Sequence, residues 1–337
     1  MATVPVYVGI DYHTAAVQLC ILDPLGKVLA NRPCPNDSAA IRELVRPFAG
    51  DPHVAIEACT GAANLAEELV QRFGWSVDLA HPGFVARRKQ DPDKTDFTDA
   101  RLLADLERVG YLPRVGLAPE DVRELRRLAR YRQQLAGERK TLKLRVGALL
   151  RDGRVVQPAL RPWTVAWLRW LRQALDLSAQ TRWIVDRQLA RLAFLGVEIT
   201  AVEHRLRQLT ADDTMVQELL AMKGIGLVTA VTIRAEVGRF DRFRSGKQLA
   251  RYCGLSPRNA SSGRRQADAG LIKAGNPQLR TVIIEAAHRL MRCQGRWREL
   301  GLALRGRGKA ASPVIGAVAN RWVRWLYHQL RPIHLAA

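Results

Sequence analysis

The first 110 residues alternate between short apolar strands and helices in the order strand, strand, strand, helix, strand, helix, strand, helix, and few folds accommodate that order. Residues 4–10 are β-rich, residues 15–22 follow, and the turn Asp23-Pro24-Leu25-Gly26 leads into residues 27–32. Two apolar runs around a Pro-Gly turn form a hairpin, so three antiparallel strands are expected to open the chain. Asn36, Asp37 and Ser38 offer caps for a helix through Phe48. Residues 53–58 read as a fourth strand, 62–73 as a helix and 75–80 as a fifth strand, and Thr95 can cap a helix that runs to about Gly110. The expected class of this front part is α/β.

From Pro119 onward the pattern turns helical and basic. Residues 120–150 read as one long helix with Arg123, Arg126, Arg127 and Arg130 on neighbouring turns. Further helices follow in residues 158–210, where Trp163, Trp167 and Trp170 recur at helical spacing and suit a packing face. Long paired helices here could form a coiled-coil arm. The last part has helices around Met222–Gly226, a polar loop near residues 256–275 and closing helices at about 277–293 and 312–330. Three segments are expected: an α/β domain at 1–112, a helical, coiled-coil middle at 113–210 and an all-α unit at 211–337.

Charge separates the segments further. The chain carries 53 Lys and Arg against 32 Asp and Glu, a net +21. Residues 1–110 are net −4, which leaves +25 for the rest. A field of that sign draws polyanions, nucleic acid foremost. No long apolar run or basic amphipathic tail accompanies it, so no membrane partner is expected. The opening residues lack the basic start and long apolar core of a signal peptide, and the five cysteines show no CxxC spacing. The expectation is a cytoplasmic protein.

Four acids of the front part stand where chemistry could use them. Asp11 ends the first strand, Glu57 ends the fourth, and Asp96 and Asp99 lie one turn apart on a helix. An acid at the end of an apolar strand needs a cation or a donor nearby. Oxygen ligands brought together match hard divalent ions such as Mg²⁺, and two such ions can clamp a phosphoryl transfer. Taken singly, each acid also fits a turn, a surface position or a solvated first helical turn.

The strand order and these four acids resemble the ribonuclease-H-like fold of the RuvC type. The string Lys94-Thr95-Asp96-x-x-Asp99-Ala100 is similar to part of the DEDD transposases of insertion-sequence family 110, also called bridge recombinases. The resemblance implies that Asp11, Glu57, Asp96 and Asp99 bind catalytic Mg²⁺.

A second match lies near the other end. Lys223-Gly224-Ile225-Gly226 precedes a helix and resembles the hairpin of helix-hairpin-helix DNA binders, although a simple tight turn fits equally. Phe243-Arg244-Ser245, the run from Leu249 to Arg258, Ser261-Ser262-Gly263, Lys273-Ala274-Gly275-Asn276 and Leu279-Arg280 together resemble the C-terminal transposase domain of the same family. Its Ser-Gly element carries a nucleophilic serine, a role that falls on Ser262, with Ser261 in reserve. Arg258, Arg264 and Arg265 are near neighbours in sequence able to hold a phosphate, and Lys273 is a further nucleic-acid-binding candidate. Around Lys273 the sequence departs from the family in lacking extra basic residues.

The resemblance implies a transposase that cuts and rejoins DNA through a phosphoserine intermediate. It also implies donor and target DNA, a structured bridge RNA as guide, and a homodimer or homotetramer. The arginines at 123, 126, 127 and 130 are the candidates for RNA contact. Two rival readings remain, a RuvC-type nuclease that hydrolyses branched DNA without a serine and a non-catalytic nucleic-acid-binding protein.

Overall fold

The computed structural model describes residues 4–48, 50–88, 95–173, 177–259, 268–272, 274–293 and 295–335. The chain divides into two compact units, residues 1–118 and 119–337.

Unit one holds a six-stranded sheet in the order β3-β2-β1-β4-β5-β6. Its strands are β1 (Val6–Tyr12), β2 (Ala16–Leu22), β3 (Val28–Pro35), β4 (Pro52–Glu57), β5 (Ser76–Ala80) and the short β6 (Arg114–Val115). The first three pair antiparallel, as their alternation and the Gly26 turn predict. β1, β4 and β5 run parallel, and β6 is antiparallel to β5. The parallel crossovers need helices, supplied by α1 (Ser38–Val45) and α2 (Ala62–Phe73). The short α3 (Pro82–Val85) and then α4 (Asp96–Arg108) follow β5. Asp37 caps α1 by accepting from the Ala40 N–H at 2.8 Å.

Side-chain alternation sorts the two faces of this sheet. Val6, Val8 and Ile10 of β1 and Val54 and Ile56 of β4 join Ile41, Leu65 and Leu69 in one core beneath α1 and α2. The opposite face uses small residues. Cys20 packs with Ala100 and Ala104 of α4, and Ala55 and Ala80 pack with Leu103. At Gly9 the approach of α4 is closest, since a Cβ there would collide with the Ala100 carbonyl oxygen and the Ala104 nitrogen. Gly9→Ala therefore has to push α4 off the sheet. We expect a loss of about 2–3 kcal/mol in urea unfolding; a variant as stable as the wild type would show that α4 shifts at no cost.

Unit two is mostly helical, with α5 (Glu120–Asp152), α6 (Val165–Gln173), α7 (Ala179–Leu209), α8 (Thr214–Ala221), α9 (Leu227–Val237) and α10 (Gly246–Tyr252). A two-stranded ribbon, β7 (Pro257–Asn259) with β8 (Asp268–Leu271), precedes α11 (Pro277–Leu290), α12 (Arg296–Gly306) and α13 (Ala311–Leu335). Helices α5 and α7 are antiparallel neighbours: Arg132 pairs with Glu203 at 2.6 Å, while Val146 and Leu150 share a core with Val185 and Leu189. That outer core includes Trp167, with Trp163 and Trp170 packed on it, so the tryptophan stripe is a packing face. The inner ends of α5 and α7 enter the same large core as α8 to α13. The middle and last segments drawn from the sequence thus share one hydrophobic interior.

Candidate active site

Asp11 and Glu57 come together through strand register. β1 and β4 run parallel, with Ile10 beside Ile56, so the next residues on each strand are Asp11 and Glu57. Period-two alternation puts both on the face of Gly9 and Ala55, which is the face α4 covers. Cys59 marks the same corner: burial pushes its thiol up, and both the Glu57 and Asp11 charges push it further.

The other two acids arrive on α4. Thr95 caps this helix by accepting from the Thr98 N–H at 3.2 Å, and Thr98 Oγ1 accepts in return from the Thr95 N–H at 3.3 Å. Asn31 of β3 donates to the Phe97 carbonyl at 3.0 Å and accepts from Gln18 Nε2 at 2.7 Å, which ties the first turn to the sheet. Asp96 and Asp99 occupy that first turn, where the helix dipole favours carboxylates. Asp99 is buried at 7% exposure, whereas Asp96 is open.

Among the described residues, one group could chelate a metal: Asp11, His13 and Asp96, whose ligand atoms lie within 4.8 Å of one another. His13 Nε2 is 3.4 Å from Asp11 Oδ2 and 3.4 Å from Asp96 Oδ2. Glu57 and Asp99 flank this triad without belonging to it. The sequence reading missed His13, which lies just past the end of β1.

Burial raises the pKa of Asp11 above its ordinary value of 3.8; His13 pulls it back, and Asp99 and Asp96 push it up. In the metal-free protein the fold therefore prefers protonated Asp11 more than the unfolded chain does. That contribution to stability is complete below the unfolded value and fades as pH rises through the raised one. Asp11→Asn should accordingly melt higher than the wild type at pH 7 in a chelator, by a few degrees. The gap should close as pH falls below 3.8. A lower melting point for the Asn variant at pH 7 would contradict this electrostatic account.

The basic candidates fall into three sets. Ser261, Ser262, Arg264, Arg265 and Lys273 lie outside the described residues; the first four belong to the connection between β7 and β8. Arg258 is exposed on β7. Lys223 is exposed in the α8–α9 turn, where Gly224 takes a φ of 86° and Gly226 caps α9. Arg289 secures that turn by donating to the Gly224 carbonyl at 3.1 Å and to Thr229 Oγ1 at 2.9 Å.

The arginine row on α5 makes contacts within the chain. Arg130 forms a bidentate pair with Glu236 at 2.7 and 2.9 Å, and Arg126 donates to the Ala235 carbonyl at 2.9 Å. Arg123 is buried and pairs with Glu120, and Arg127 donates to the same Glu120 at 3.1 Å. Arg126 and Arg130 answer Glu236, a carboxylate 2% exposed on α9 that requires counter-charge. Arg123 and Arg127 share Glu120, and Arg127 and Arg130 remain more than half exposed.

Comparison with known proteins follows this division. A family model described as transposase of the IS116/IS110/IS902 family matches residues 216–301. A second, a transposase model of the DEDD IS110 type, matches residues 8–153. The "Probable family 20 transposase" of Pseudomonas aeruginosa is 30% identical over 289 residues, covering 81% of this chain and 82% of that protein. The transposase for insertion sequence element IS1328 of Yersinia enterocolitica is 29% identical over 238 residues, 69% of each chain. The y4qE protein of Sinorhizobium fredii is 32% identical over 220 residues, 65% of this chain and 54% of that protein, so the match spans about half of the relative's length. Among the described residues no helix is long and apolar enough to cross a membrane.

Proposed function

The chain belongs to the IS110 family of insertion-sequence transposases, DNA-cutting and rejoining enzymes, and from that premise we propose a two-part chemistry built on a carboxylate site and a serine. The observation that carries the first part is the meeting of Asp11 and Asp96, from a strand end and a helix start, around a common point. The strand order, with antiparallel β1 to β3 and parallel β1, β4 and β5, supports a ribonuclease-H-like fold of the RuvC type.

The residues fit a hard divalent cation. Burial first, and the Asp99 and Asp96 charges after it, raise the pKa of Asp11, so a shared positive charge would favour its ionised form. Asp11, Glu57, Asp96 and Asp99 would hold Mg²⁺, and when bound the ion supplies Lewis acidity at the scissile phosphate. Asp99, buried in the first turn of α4, would complete the acid set. Ser262, with Ser261 as the alternative, attacks phosphorus through Oγ; the P–O bond to the departing strand breaks, and that oxygen takes up a proton. A hydroxyl of the second strand later displaces the serine, so the phosphodiester bond energy is kept and no nucleotide is consumed. Arg258, Arg264, Arg265 and Lys273 would steady the phosphates around the serine, and Lys223 with Gly224 and Gly226 would contact the backbone nearby. Donor and target DNA are the substrates, a structured bridge RNA the guide, and a homodimer or homotetramer the working form.

Ser262→Ala tests this reading against the hydrolytic alternative. The variant is expected to lose the covalent protein–DNA adduct and strand joining, by at least about a thousandfold, with its divalent-ion affinity unchanged. Strand cleavage by the variant at the wild-type rate would instead establish a nuclease that uses the acids alone. If Ser262→Ala still forms the adduct and Ser261→Ala does not, the nucleophile is Ser261.

A further inference from the structure

We infer that His13 is a nitrogen ligand of the divalent cation and that it shifts the site's preference from magnesium toward manganese. The inference rests on the reading that the acids of unit one hold a divalent ion, and adds a ligand that the four-acid pattern does not contain.

Geometry comes first. His13 stands just beyond the end of β1, two residues after Asp11, and its imidazole reaches both Asp11 and Asp96. Its backbone is pinned: Asn36 Nδ2 donates to the His13 carbonyl at 3.0 Å and to the Thr14 carbonyl at 3.2 Å. The Asn36 N–H also reaches the Ala15 carbonyl at 3.4 Å. The turn is therefore held from β3, and the imidazole projects from a fixed point. It lies equidistant from Asp11 and Asp96, at 3.4 Å from each.

That spacing suits an ion pair and also two ligands of one ion. A well-formed N–H···O bond measures about 2.7–3.2 Å. Two ligands about 2.1 Å from one ion, at angles between octahedral and tetrahedral, stand about 3.0–3.4 Å apart. The Asp11–His13–Asp96 triangle matches the second spacing on both His13 edges. His13 is also 56% exposed, so it is not held there as part of the core.

Chemistry gives the preference. Magnesium takes oxygen ligands and retains water, whereas imidazole nitrogen suits transition-metal ions. A site of two carboxylates and one imidazole accepts manganese through all three groups, while magnesium gains little from the nitrogen. Magnesium remains usable through the acids.

The test uses the full chain and manganese as the probe. Pulsed electron paramagnetic resonance of bound Mn²⁺ should show ¹⁴N modulation from a coordinated imidazole, absent in both His13→Ala and His13→Gln. Titration should show Mn²⁺ affinity falling about tenfold in these variants, with Mg²⁺ affinity changing less than about threefold. Wild-type Mn²⁺ bound without nitrogen modulation, or modulation that persists in His13→Ala, overturns the inference and leaves the acid site standing. Tighter binding of both ions in the variants also overturns it, because His13 would then be an internal counter-ion that the metal displaces. If neither ion binds the wild type more tightly than it binds Asp11→Asn, the underlying acid site fails as well.

Discussion

Asp11→Asn is expected to reduce metal-dependent DNA strand cleavage by about a thousandfold or more, equivalent to roughly 4 kcal/mol of transition-state stabilisation. Asp11 is the acid best placed to produce so large an effect. It neighbours Glu57 in register, faces α4, contributes one corner of the triad with His13 and Asp96, and feels Asp99 electrostatically. Its carboxylate pairs with His13 at 3.4 Å and is the one acid of the site that both Asp96 and Asp99 push up. The amide keeps the shape and removes the charge, so misfolding does not explain the loss. The metal-free variant should indeed melt at or above the wild-type temperature, since a repelled buried charge has gone. Glu43→Gln serves as a control: it removes an exposed acid on α1 whose partner is Arg46 at 2.9 Å. Cleavage by Asp11→Asn within tenfold of the control would place the chemistry elsewhere.

The largest expected loss of stability comes from Glu236→Ala, at about 3 kcal/mol in urea unfolding of the full chain. Glu236 is the meeting point of four elements. Arg130 and Arg126 reach it from α5, Asn276 Nδ2 donates to Oε2 at 2.7 Å, and the Tyr252 hydroxyl donates to its backbone carbonyl at 3.1 Å. Asn276 in turn caps α11 by accepting from the Gln278 and Leu279 N–H groups at 2.9 and 3.1 Å. Removing the carboxylate leaves Arg126 half buried without its counter-charge and loosens the cap. The figure sits at the low end for a buried pair because Arg130 is 52% exposed and can rehydrate. Glu236→Gln, which keeps an acceptor for Asn276, should lose less. A double-mutant cycle with Arg130→Ala should give a coupling of about 1 kcal/mol or more. Additive losses would mean that the two residues act separately.

The opening sheet was legible because its strands are buried on alternate faces, and alternation survives in the sequence as apolar and small residues at period two. Asp11 and Glu57 stood out as acids ending apolar runs, and Asp96 and Asp99 as acids one turn apart after a helix cap. His13 did not, since a lone histidine after a strand has many ordinary uses. β6 is two residues long, too short to alternate. β7 and β8 include Pro257 and Gly270, residues that argue against strand when read locally. The α5 arginines illustrate a different limit. Helical spacing shows that Arg126 and Arg130 share a face, but their partner Glu236 lies 106 residues beyond Arg130. Periodicity carries no information about such a distant acid. The same holds for the boundary drawn at 210, because the residues that merge α5 and α7 with α8 to α13 meet only in the folded core.

The cation triad draws on Asp11 and His13 from the first strand and its turn, and on Asp96 from the start of α4. More than eighty residues of sheet and helix must settle before these donors can meet. A nascent or clipped chain ending ahead of α4 carries two of the three donors and no means of closing the ring. On the proposed reading, the cation donors assemble only once α4 has joined the sheet.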